Sequence, residues 1–216
     1  MKREIITIII CWLSFWALPA HAELITIQIT GQVDSIYDPY GYFKGKIKVG
    51  DLVEGTYVYQ SSTPDSDLSD PIKGTYYHYI PPAGISLSAG SVQFASDPFN
   101  LAFEVFTRNN IDSGDDIYGF ISHRNLSLSG NVYVETISWQ LNDSTGTAFS
   151  TDALPLTAPV LENWDWNSLH IDTLRAFGIS GHVTAATLIP EPGTFLIIGF
   201  GALILKHKTL IKKIYP

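Results

Sequence analysis

The sequence predicts an all-β protein, an antiparallel β-sandwich of jelly-roll type, flanked by an N-terminal signal helix and a C-terminal hydrophobic helix. Three observations carry this. Residues 24–30 alternate, with Ile25, Ile27 and Ile29 on one face, which is the period of a half-buried strand. Clusters of Gly, Pro, Asp and Ser punctuate the chain at roughly 10–20-residue intervals, as turns between antiparallel strands do. No stretch between the two ends carries a convincing amphipathic helical period.

The first element, residues 1–22, reads as an export signal. Met1-Lys2-Arg3 is a short positive region, residues 5–18 are an apolar run, and Ala20-His21-Ala22 is an A-x-A cleavage site preceded by Pro19. An apolar run of this length is short for a membrane span. The single cysteine, Cys11, lies inside this segment. A chain beginning at Glu23 then has neither cysteine nor methionine. Disulfide scaffolds, cysteine-ligated zinc and thiol catalysis are therefore excluded, and stability must come from the core and hydrogen bonds.

The middle element, residues 23–188, carries the strands. After 24–30 the alternating runs are 52–60, 74–80, 91–95, 100–107, 117–123, 131–141, 171–176 and 179–188. Residues 132–139 mix apolar and polar on both faces, which suggests a strand covered on both sides. A short turn is expected near 161–168. Ile29-Thr30-Gly31-Gln32-Val33 is similar to Ile179-Ser180-Gly181-His182-Val183. Glycine within a strand marks a bulge or a close backbone approach, so these terminal strands are expected to be neighbours in one sheet.

The last element, residues 189–216, opens on Pro190-Glu191-Pro192 and Gly193. Prolines this close together delay any helix to Gly193. Residues 193–205 are uncharged, and four lysines follow: Lys206, Lys208, Lys212 and Lys213. At 1.5 Å per residue the uncharged run spans about 20 Å, against about 30 Å of hydrocarbon. The span is completed if Lys206 and Lys208 snorkel. The lysines place this end in the cytoplasm and a folded domain outside.

The tripeptide Pro190-Glu191-Pro192, the apolar run after it and the basic cluster that closes the tail resemble the PEP-CTERM sorting domain. The accompanying signal peptide is usual for that family. The resemblance implies a Gram-negative source and a transient membrane-anchored intermediate. It also implies processing by an exosortase-type enzyme near the tripeptide, and delivery to the cell surface or extracellular matrix. The segments Val49-Gly50-Asp51-Leu52-Val53-Glu54-Gly55-Thr56-Tyr57-Val58-Tyr59, Thr63-Pro64-Asp65-Ser66-Asp67 and Gly74-Thr75-Tyr76 are similar to a recurrent ectodomain of such proteins. The resemblance implies no assigned activity for that ectodomain.

The middle segment holds seven basic and nineteen acidic residues, a net charge of −12, where the whole chain carries −8. Such a surface stays soluble and repels nucleic acid, so no nucleic-acid partner is expected. The histidines His78, His123, His170 and His182 show no tight metal spacing, and the chain has no G-x-S-x-G elbow, phosphate-binding loop or dinucleotide fingerprint. No catalytic residues are assigned.

Two acidic loops are candidates for calcium, the only cofactor considered. Asp65, Asp67 and Asp70 form one; Asp112, Asp115 and Asp116 form the other. Both offer several oxygen ligands on flexible backbone, although neither follows the EF-hand order. The alternative is that these side chains cap turns. Tyrosines are dense between Tyr37 and Tyr79, and the pairs Tyr57/Tyr59 and Tyr77/Tyr79 each share a strand face. Strand tyrosines are expected to pack across the sheet. Trp164 and Trp166, placed in a loop, are the candidate carbohydrate contacts.

The expected function follows. The protein is an exported, non-enzymatic structural or adhesive component associated with exopolysaccharide or biofilm. The alternatives are a carbohydrate-binding module and a secreted hydrolase.

Overall fold

The computed structural model describes residues 23–111, 114–128, 132–173 and 177–190. The predicted signal segment falls outside these residues, as does the tail beyond Pro190.

The chain is all-β. Its strands are β1 (Leu24–Tyr37), β2 (Leu52–Gln60), β3 (Lys73–His78), β4 (Gly84–Ala89), β5 (Val92–Ala95), β6 (Ala102–Ile111), β7 (Asp115–His123), β8 (Thr136–Asp143), β9 (Trp166–Asp172) and β10 (Gly178–Ile189). The one helical turn among the described residues is 3-10, Leu161–Asn163, inside the turn expected there. All ten strands join one antiparallel sheet in the order β3-β6-β7-β8-β9-β10-β1-β2-β4-β5. The all-β, antiparallel part of the expectation is met, and the ladder runs unbroken through all ten strands. Alternation reports only that one face is buried, and a sheet curled on itself buries one face as well as a sandwich does.

The curl is visible in the core. Tyr57 on β2 lies 4.8 Å from Phe120 on β7 and 6.0 Å from Trp139 on β8. β2 and β7 stand five places apart in the sheet order, so only a sheet that wraps round can bring them face to face. Its two flanks are laced together beyond β5 and β7. Leu126 N donates to Ala95 O at 2.8 Å, Asp97 N donates to Arg124 O at 3.0 Å, and the Ser96 and Ser122 hydroxyls meet at 2.7 Å. Ile25, Ile27 and Ile29 all point into this core, as the alternation predicts.

β8 differs from its expected form. It begins at Thr136 rather than near 131, and it alternates. Ile137, Trp139 and Leu141 are fully buried, whereas Thr136, Ser138 and Gln140 sit half-buried on the outer face. β4 was not anticipated, although Ile85, Leu87 and Ala89 alternate with Ser86 and Ser88 and are buried. β9 starts at Trp166 and ends at Asp172, so the expected strand at 171–176 overlaps only its end.

The likeness between the terminal strands reflects contact. β1 pairs with β10 so that Gly31 faces Val183, Gln32 faces His182 and Val33 faces Gly181. The register shifts on either side of this stretch, between Thr30 and Gly31 and between Val33 and Ser35. A Cβ on Gly31 would lie 2.4 Å from His182 O, and a Cβ on Gly181 would lie 2.4 Å from Gln32 O. The two glycines thus make reciprocal close approaches at a double bulge.

Tyrosine hydroxyls hold the interior. Tyr57 and Tyr118 are both fully buried, and their hydroxyls meet at 2.8 Å. Burial pushes both phenols well above their ordinary pKa. Tyr118→Phe leaves the Tyr57 hydroxyl without its partner and is expected to cost about 1–2 kcal/mol. The double variant Tyr57→Phe/Tyr118→Phe should cost less than the sum of the single changes in a double-mutant cycle. Strict additivity would show that the pair is not coupled.

Candidate functional site

Several of the loop aspartates serve the backbone. Asp65 Oδ1 accepts from Asp67 N at 2.9 Å and from Thr75 N at 2.8 Å, while Ser66 N donates to Thr75 O at 2.9 Å. Thr75 lies on β3, the edge strand, so this loop covers part of an otherwise open edge. Asp70 accepts from Ile72 N at 3.1 Å and pairs with Lys73 at 3.4 Å. Asp67 Oδ1 receives the Ser69 hydroxyl at 3.5 Å.

Asp116 is fully buried. Its oxygens accept from Asn110 N at 2.9 Å and from Phe149 N at 2.6 Å. Asp115 opens β7 opposite Ile111, and Asp112 lies outside the described residues. No group of three His, Cys, Asp or Glu that could hold a metal occurs among the described residues. With Asp65, Asp70 and Asp116 accepting from backbone N–H groups, chelation by EDTA is expected to leave the melting temperature within about 1 °C of its starting value. A fall of several degrees, restored by calcium, would place an ion in one of the loops.

Asp143 was not singled out in the sequence, yet it organises the long segment after β8. Its two oxygens accept from the backbone N–H groups of Thr145, Thr147 and Ala148 and from the Thr145 and Thr147 hydroxyls. The Thr145 hydroxyl is the main reason that its carboxyl is held below the usual range; the backbone donors reinforce this and desolvation opposes it. Asp143 faces Asp116 across the β7–β8 ladder. The segment 144–160 is further held by Tyr59 OH on Pro155 O at 2.7 Å, Tyr76 OH on Asp152 O at 2.9 Å and Thr107 Oγ1 on Asp152 O. The signal was present in the sequence as Asp143-Ser144-Thr145-Gly146, an Asx-turn pattern.

The two candidate tryptophans do not form one platform. Trp164 packs on Phe149 at 5.3 Å and on Tyr118 at 6.4 Å, against the core. Trp166 opens β9 on the outer face and is 47% exposed. The two tyrosine pairs divide in the same way. Tyr57 and Tyr59 are fully buried, and their rings stack at 6.0 Å. Tyr77 and Tyr79, 44% and 63% exposed, lie with ring centroids 6.1 Å apart and planes within 17°. They flank a groove of about 230 Å³ that also includes Gln60, Ser62, Thr63 and Ile80.

His78 sits beneath this groove, between Tyr59 and Phe103. Its Nδ1 meets Thr63 Oγ1 at 3.2 Å, and its buried Nε2 has no hydrogen-bond partner. Burial lowers its pKa to about 4. A depressed folded-state value means that the unfolded chain binds the proton first. Stability from neutral His78 is therefore full above about pH 6.5 and is lost as pH falls towards 4, by about 2–3 kcal/mol. His78→Phe should remove this part of the acid sensitivity in denaturant titrations. An unchanged pH profile in the variant would assign it to other groups.

A serine–histidine contact also exists. His170 Nε2 meets Ser168 Oγ at 2.7 Å, and its Nδ1 meets the Ser180 hydroxyl at 3.1 Å. A hydroxyl thus stands where a Ser-His-Asp triad has its carboxylate. His182 pairs with Asp34 at 2.9 Å on the surface.

No protein-family model matches this chain, and no curated protein and no solved structure matches it.

Proposed function

We propose that the chain is an exported, non-enzymatic surface or matrix protein, sorted by an exosortase-type system and acting as a structural or adhesive component of exopolysaccharide or biofilm. The observation that supports this reading is the position of the first and last strands. β1 begins at Leu24, just past the expected cleavage site, and β10 ends at Ile189, with Pro190 exposed beside it. The tripeptide Pro190-Glu191-Pro192 therefore starts just past the last strand, at an exposed proline. Thr26 pairs with Ile189, so both chain ends leave from the same region of one sheet. A domain so arranged can be held by its tail with the rest of its surface free. Within this proposal, the curled sheet counts as a jelly-roll-like sandwich whose two walls remain joined through β10 and β1.

A carbohydrate-binding module is the second reading, and the exposed Trp166, Tyr77 and Tyr79 rings favour it. Fractionation of producing cells tests the main proposal. The protein should leave the cell and co-purify with extracellular polysaccharide. Recovery wholly in the cytoplasm would contradict it.

A further inference from the structure

Tyr77 on the edge strand β3 and Tyr79 just past its end are exposed. Tyr57/Tyr59 and Tyr77/Tyr79 have the same spacing, yet only the first pair fills the core. Tyr77 and Tyr79 instead present nearly parallel rings to solvent. Around them stand groups suited to hydroxyl ligands. Gln60, Ser62 and Thr63 line the groove between these rings and the end of β2. Glu104 lies directly opposite Tyr77 across the β3–β6 ladder, half-buried on the same outer face. Burial raises the pKa of Glu104, and Arg108 and His123 oppose that shift.

We infer that Tyr77, Tyr79 and Glu104, with the groove at Gln60 and Thr63, form a binding site for a neutral glycan chain. The reasoning is chemical. A pyranose ring has an apolar face and a rim of hydroxyls. A tyrosine offers an apolar ring face with a polar end, so two parallel rings can carry successive sugar faces. The Glu104 carboxylate accepts hydroxyl protons, and the Gln60 amide can both donate and accept. The groove is smaller than the roughly 300–1,000 Å³ of sites that enclose a ligand, so it suits one ring or a chain end lying across the surface. Charge selects the sugar class. The domain carries −12 overall, so uronate polymers are repelled and neutral hexose chains are not.

This inference rests on the association with polysaccharide proposed above, and the test separates the two. Full-length protein in detergent micelles is titrated with cellohexaose, laminarihexaose and mannohexaose, and with an alginate hexamer as the anionic control. At least one neutral hexasaccharide should bind, and alginate should not. Tyr77→Ala/Tyr79→Ala should weaken that binding about tenfold or more. Tyr77→Phe/Tyr79→Phe, which keeps the ring faces, should retain most of it. Unaltered circular dichroism and melting of the Ala variant guard against misfolding. Binding that survives Tyr77→Ala/Tyr79→Ala but is lost in Trp166→Ala overturns the site and leaves the polysaccharide reading standing. A wild-type protein that binds none of the neutral sugars overturns both.

Discussion

Gly181→Ala is expected to destabilise the protein by about 3 kcal/mol or more, among the largest effects of any single methyl group in this fold. The added carbon would sit 2.4 Å from Gln32 O, which is backbone and cannot rotate away. Relief requires β1 and β10 to separate, and their pairing joins the two flanks of the sheet. Gly31→Ala meets His182 O at the same distance and should cost a similar amount. The two changes act on one close approach, so the double variant should cost less than their sum. Equilibrium denaturation of the three variants measures this. Single-variant losses below about 1 kcal/mol would mean that the strands separate easily there.

Asp116→Ala should cost about 3 kcal/mol. The carboxylate is fully buried, and its removal leaves the N–H groups of Asn110 and Phe149 without their acceptor. One bond holds the β6–β7 turn, and the other holds the segment 144–160. The loss should therefore be accompanied by new proteolytic cleavage near Phe149 in the folded protein. Asp116→Asn, which keeps one acceptor oxygen, should lie between the two. A variant as stable as wild type, with no new cleavage, would show that the carboxylate does not anchor that segment.

What could be read from the sequence follows the physics of alternation. β2 was placed to the residue because its period is unbroken and one face is buried. The neighbouring of β1 and β10 was legible because glycine spacing leaves a mark: two backbones approach only where no Cβ intervenes. β4 lies outside the expected strands although Ile85, Leu87 and Ala89 carry the signal, because it opens just after the turn residues Pro81-Pro82 and its polar positions are serines. Whether the sheet divides in two was not legible, since that depends on ladder continuity through β10 and β1 rather than on any local pattern.

The site was less legible than the fold. Tyr57/Tyr59 and Tyr77/Tyr79 look alike in sequence. They separate only because β2 turns its tyrosines inward, whereas β3 turns Tyr76 and His78 inward and Tyr77 out, with Tyr79 exposed just past its end. Trp164 and Trp166 straddle the boundary between a 3-10 turn and β9, so one packs on the core and the other points outward. Aspartates that cap turns cannot be told from cation ligands by spacing. The difference is which N–H groups they meet once folded, as Asp65 does at Thr75.

In the proposed function, residues beyond β10 sort this domain to the cell surface or matrix. This claim is tested by following wild type and a Pro190→Ala/Pro192→Ala variant through fractionation, with intact mass measured in each fraction. Wild type should begin at Glu23, lose its tail near the tripeptide and reach the surface or matrix. The variant should keep the tail and stay with the inner membrane. A variant that matures to the same mass and location as wild type would contradict the claim.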